Sequence, residues 1–165
     1  SMCSYYMRNA GKGNDPAKIV VANRSVPRLE EIRRINEEMN EMDIPTEYYL
    51  TPNPGQNDDV LAGMGQGSLI INATGLGKDR PGSPLTNNAV FPEGALVWEI
   101  NYRGERTFMH QAEGQARERN LQVIDGWMYF IFGWTQVIAE VFHTEILGEK
   151  LKKMERIAAE FNQRA

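Results

Sequence analysis

Short β-branched or aromatic runs alternate with amphipathic helical stretches along the chain, and this alternation restricts the fold more than any other feature. KIVVAN (18–23), EYYLT (47–51), SLIINAT (68–74), ALVWEI (95–100) and LQVID (121–125) each have the length and the bounding turn residues of a strand. Between them, VPRLEEIRRINEEMNEM (26–42), DDVLAGMG (58–65) and TFMHQAEGQARERN (107–120) read as helices. In the first of these Ser25 is the expected N-cap and Pro27 lies in the first turn. Leu29, Ile32, Ile35 (or Asn36) and Met39 keep the three-to-four spacing of one buried face. DGWMYFIFGWTQVIAEVF (125–142) reads as a strongly apolar helix with Asp125 as N-cap, and GEKLKKMERIAAEF (148–161) as a charged closing helix. SYYMRNAGKG (4–13) is a helical tail stopped by Gly11 and Gly13, with Asn14, Asp15 and Pro16 as a turn. The alternation implies right-handed βαβ units on a mostly parallel sheet. The expected fold is a doubly wound, Rossmann-like α/β fold in a single domain, a size that 165 residues allow.

The totals exclude several classes of function. A net charge of −4 disfavours a broad electrostatic grip on nucleic acid or on an anionic membrane. Cys3 is the sole cysteine and His110 and His143 the two histidines, so neither an internal disulfide nor a thiolate metal cluster is expected. No apolar run approaches the roughly 20 residues of a membrane span, and no signal peptide is recognisable, so a reducing cytoplasm is the expected setting. Ser1 before Met2 reads as the scar of a removed tag.

A dinucleotide-binding unit opens with a strand, then G-x-G-x-x-G, then a helix. Here Gly11-Lys12-Gly13 leads into a turn and a strand instead. The chain is therefore expected to begin inside the first helix of its fold, without the first strand and the glycine-rich turn. The run Leu69-Ile70-Ile71 meets a loop dense in glycine and proline at its carboxyl end, where open α/β sheets bind ligands.

Taken together, VVANRS, INATGLGKDRPGSPL, WEINYRGERTF and DGWMYFIFGW resemble the nicotinamide-cofactor domain of the shikimate and quinate dehydrogenase family, over about residues 5 to 145. The GKDRPGSPL and DGWMYFIFGW forms depart from the commonest members and suggest a divergent branch. The resemblance implies NADP as cofactor. Asn23, Arg24 and Ser25, with Arg28 one turn on, would meet its adenosine end. A guanidinium suits the 2′-phosphate where an NAD site would place a carboxylate. By themselves, Ser25 reads as a helix cap and the two arginines as solvated. Asn72, Ala73, Thr74 and Gly75 match the family's Asn-Ala-Thr turn near the ribose and nicotinamide; the plain alternative is a strand-to-loop turn. Ile100 and Tyr102 match positions beside the nicotinamide and substrate, with core packing the alternative for Ile100. Gly126 matches a glycine that makes room for the nicotinamide ring.

The departures concern the substrate side. The family's lysine and aspartate for the hydroxyl proton belong to an amino-terminal domain not found in this sequence, and Lys78-Asp79 reads as a solvated pair rather than a substitute. The position of the family's substrate glutamine is Gly133, and Gln136, about one turn further, is the candidate substrate contact in its place, a substitution the sequence alone leaves open. The aromatic residues of WMYFIFGW read as core. The implied activity is that of an oxidoreductase moving a hydride between NADP and a hydroxylated ring acid such as shikimate or quinate. This chain alone is expected to be silent and to bind the dinucleotide weakly. The rival is a non-catalytic nucleotide-binding or interaction module. Strand edges left open where the first strand would lie lead to the expectation of a homodimer.

Overall fold

A computed structural model of the chain describes residues 2–13, 15–40 and 43–162, with side chains as far as residue 160. The readings that fall on Ser1, Asn14, Glu41 and Met42 lie outside the described residues. The chain divides into two compact units, Ser1–Gly65 with Leu85–Pro92, and Gln66–Pro84 with Glu93–Ala165.

In the first unit, α1 (Met2–Arg8) packs on α2 (Val26–Met39), which packs on a parallel pair of strands, β1 (Ile19–Asn23) and β2 (Thr46–Leu50). The expected helix face is confirmed at Leu29 and Asn36, which are buried, with Ile32, Ile35 and Met39 half-buried beside them. Asn36 donates to the Tyr48 hydroxyl at 3.1 Å, so a polar residue sits in the apolar stripe with a partner of its own. α3 spans Pro54–Ala62, starting earlier than residue 58 because Asn53 and Gln56 form a reciprocal capping box. Leu85, Ala89 and Phe91 return to this unit's core, and the Thr86 backbone and hydroxyl both bond the Asp58 carboxylate.

In the second unit, β3 (Leu69–Asn72), β4 (Leu96–Glu99) and β5 (Gln122–Ile124) form a parallel sheet in the order β3-β4-β5. Along β4 the burial alternates as the pleat requires: Val97 and Glu99 are fully buried, while Trp98 meets Tyr129 edge-to-face. α4 (Thr107–Glu113) packs on β4 and β5. It stops seven residues short of Asn120, because Gly114 closes it and the chain turns back through a left-handed Asn120. α5 (Trp127–Val141) and α6 (Gly148–Asn162) follow. Gly126, not Asp125, is the cap residue of α5, yet the Asp125 carboxylate accepts from the Trp127 N–H at 3.0 Å. The core reading of WMYFIFGW is corrected in part. Trp127 and Phe130 are half-buried, but Tyr129, Phe132 and Trp134 are exposed, Trp134 to 56%.

The described strands are thus all parallel, and helices separate them everywhere except between β3 and β4, where a loop without helix replaces the expected alternation. Among the described residues β1 pairs only with β2, and β3 only with β4, so each sheet has an edge at these strands.

Candidate functional site

The residues singled out from sequence fall in both units, and each group has its own local geometry. In the first unit Asn23 ends β1, and its Oδ1 accepts from the Ser25 N–H at 2.9 Å, an Asx turn that starts α2. Ser25 occupies the N-cap position, but its side chain makes no capping bond. Arg24 and Arg28 are exposed, and neither makes a hydrogen bond or ion pair among the described residues.

In the second unit three turns meet at the carboxyl ends of the strands. Asn72, 1% exposed, is the last residue of β3. Its Nδ2 donates to Glu99 Oε2 at 2.8 Å, while its Oδ1 accepts from the Thr74 N–H at 3.0 Å and the Thr74 hydroxyl at 2.7 Å. Thr74 Oγ1 in turn accepts from the Leu76 N–H at 3.2 Å. Gly75 follows at φ 74°, a conformation natural to glycine. Ala73 and Thr74 stand exposed at the tip.

Glu99 is fully buried, and its second oxygen accepts from the Asn101 N–H at 2.9 Å. Asn101 donates from Nδ2 to the Leu76 carbonyl at 2.8 Å, and its own carbonyl accepts from the Gly126 N–H at 3.3 Å. Burial pushes the Glu99 carboxyl above the usual glutamate range, opposed by the bonds from Asn101 and Asn72 and by the positive Arg106 nearby. Sequence reasoning passed over Glu99 and Asn101. The visible clue was a carboxylate inside the apolar run LVWEI.

Gly126 is buried, and a Cβ there would overlap the Ile100 carbonyl. Close backbone approach therefore accounts for this glycine within the protein itself. Ile100 is half-buried. Tyr102 stacks on Phe130 with centroids 3.9 Å apart, and Lys78 Nζ lies 5.3 Å from the Tyr102 centroid. Asp79 bridges Lys78 at 3.2 Å and Arg103 at 3.0 Å. Only 23% of the Lys78 side chain is exposed, so it is held against the ring rather than freely solvated. Gln136 is exposed and donates to Glu140 at 3.0 Å. At about 100° per residue it lies on roughly the opposite side of α5 from Trp127, Phe130 and Trp134. Gly133 has open space around it.

Among the described residues no group of three or more His, Cys, Asp or Glu side chains could hold a metal ion. No helix among them is long and apolar enough to cross a membrane. No protein-family model and no solved structure matches the chain. The shikimate dehydrogenase (NADP(+)) of Streptococcus gordonii is 31% identical over 91 residues, which is 54% of this chain and 30% of that enzyme. The chain thus spans less than a third of the relative it matches, and over a little more than half of its own length it is similar to a shikimate dehydrogenase.

Proposed function

We propose that the chain is a single Rossmann-like, doubly wound nicotinamide dinucleotide-binding domain of a shikimate-dehydrogenase-like oxidoreductase. One observation carries the reading: the Asn72–Gly75 turn is held by buried side chains at the carboxyl end of a parallel strand, where such sheets place ligands. In this reading Asn72, Ala73, Thr74, Gly75, Ile100 and Gly126 face the nicotinamide half, and Tyr102 faces the ring acid. Asn23, Arg24, Ser25 and Arg28 take the adenosine half, with the exposed guanidiniums of Arg24 and Arg28, unpaired among the described residues, directed to a 2′-phosphate. The cofactor, when bound, supplies the hydride chemistry; the chain's own residues bind and orient. The relative's NADP dependence, stated in its name, points the same way.

NMR titration tests the two halves separately. Nicotinamide mononucleotide is expected to shift Thr74, Gly75 and Ile100, and 2′,5′-ADP to shift Asn23 to Ser25 more than 5′-AMP does. Shifts confined to other surfaces would sink the reading. The exposed apolar side chains of α5 favour a second reading, an association module, and in either case a homodimer is proposed. A stable monomer by light scattering at micromolar concentration would remove that part.

A further inference from the structure

Thr74 has one hydroxyl proton and two lone pairs to use. The proton goes to Asn72 Oδ1, and one lone pair takes the Leu76 N–H. What remains at the exposed tip is one acceptor site. This arrangement holds only while Asn72 keeps its oxygen towards Thr74 and its Nδ2 towards β4. The group that keeps it so is Glu99, which presents two acceptors to two donors, Asn72 Nδ2 and the Asn101 N–H.

We propose that Glu99 is the positioning residue of the Asn72–Gly75 turn, fixing Asn72 so that Thr74 accepts a hydrogen bond from the ligand. This rests on the reading of that turn as facing the nicotinamide half of a dinucleotide. The ligand must then supply a donor at Thr74, a ribose hydroxyl or the carboxamide N–H. Glutamine cannot replace Glu99, because it has one acceptor and one donor where the site has two donors pointing inwards. One of its two partners must face an N–H, and the turn loses its fixed polarity. The same carboxylate reaches the Asn101 backbone and, through Asn101, the Leu76 and Gly126 backbones, so a single buried group sets three turns at once. The charged side chain facing Glu99 is Arg106.

The test is amide hydrogen exchange by NMR on the full chain, comparing wild type with Glu99→Gln and Asn72→Ala. Glu99→Gln is expected to speed exchange at Thr74, Leu76 and Asn101 about tenfold or more, as a lost bond worth about 1.4 kcal/mol would. The α2 amides should not change. Asn72→Ala should speed Thr74 and Leu76 but leave Asn101 protected, since its bond to Glu99 survives. Unchanged exchange at Thr74 in folded Glu99→Gln, or equal loss at Asn101 in Asn72→Ala, overturns the proposal. If Glu99→Gln does not fold, the wild type decides. The Thr74 amide shift must titrate together with the Glu99 carboxyl carbon, and a Thr74 shift that ignores that titration overturns it.

The ligand arm uses nicotinamide mononucleotide and nicotinic acid mononucleotide. Both should shift Thr74 if the ribose is the donor, and only the amide if the carboxamide is. With exchange changed as stated, no response to either overturns the cofactor reading and leaves the positioning role of Glu99 standing.

Discussion

The two units end their parallel strands in different ways. β1 runs out into an Asx turn closed by its own residues, Asn23 to Ser25, with Arg24 beside it in solvent. β3 and β4 run out into buried Asn72, Glu99 and Asn101, which add to bonds with near neighbours others that reach 25 to 27 residues away in sequence. The first solution is local and only half-buried, so its neighbours tolerate change. The second is non-local and buried, and an unmet polar group there costs its full desolvation. A turn of the first kind advertises itself in the sequence; a turn of the second kind depends on a network that only the fold assembles.

Gly126→Ala should break the second unit most severely. Its Cβ would meet the Ile100 carbonyl, and backbone cannot move aside as a flexible side chain can. Loss of the cooperative melt, or a chain that does not fold, is the expected result. Gly133→Ala is the control seven residues along the same chain, in open space within α5. It should be neutral or stabilising by about 0.5–1 kcal/mol, the usual gain in a helix interior. Equal damage from both substitutions would show that the Ile100–Gly126 approach is not what constrains the second unit.

Phe91→Ala asks whether the first unit is as tightly built at its core as the second is at its strand ends. Phe91 is completely buried, so denaturant unfolding should show a loss of about 3–5 kcal/mol. A loss below 1 kcal/mol would mean that this core is loosely packed.

Acid distinguishes the units by sign. The folded-state pKa of Glu99 is raised, chiefly by desolvation, so its contribution to stability is greatest below the ordinary glutamate value of about 4.3 and is lost as pH rises through the raised value. The stability of wild type relative to Glu99→Gln should fall over that window and then level off. Glu47 in the first unit is held below its ordinary value, first by the hydrogen bond from Lys18. Its contribution is present above the ordinary value and lost as pH falls through the lowered one, so Glu47→Gln should matter at neutral pH and not in strong acid. Both residues trending in the same direction in a pH series of melts would contradict the contrast.

The smallest effect is expected at Arg24. Arg24→Asp should leave the melt unchanged within about 0.5 kcal/mol, as exposed substitutions do, while weakening NADP more than NAD. Equal loss for both cofactors in a titration, or tighter NAD binding by wild type, would remove Arg24 from the 2′-phosphate role.

The same division explains what was legible in the sequence. All five strand runs read from residues 18 to 125 became strands, because β-branched clusters bounded by turn formers are a local signature. The start of α3 and the end of α4 shifted, because the Asn53–Gln56 box and the left-handed Asn120 act through backbone geometry rather than hydrophobic period. The Asn-Ala-Thr turn was readable as a motif, but the carboxylate that holds it was not. Glu99 sits in β4, and its bond to Asn72 exists only once β3 and β4 are side by side. Likewise Gly126 read as room for a ligand, and its clash with Ile100 needs coordinates to be seen.

Leu85–Pro92 belongs to the first unit, although it lies in the chain between β3 and β4 of the second. On the ribosome this has an effect on order. The amino-terminal 65 residues emerge without Leu85, Ala89 and Phe91, three of the buried apolar side chains of their own core. The first unit must wait until its missing segment has left the exit tunnel, by which time β3 is already outside and looking for β4. In a nascent chain halted near residue 65 the first unit should remain protease-sensitive, and once Pro92 has emerged this unit should gain its protected core. For the same reason no single cut yields either unit whole, and a gene fragment encoding one of them carries either too little sequence or part of the other.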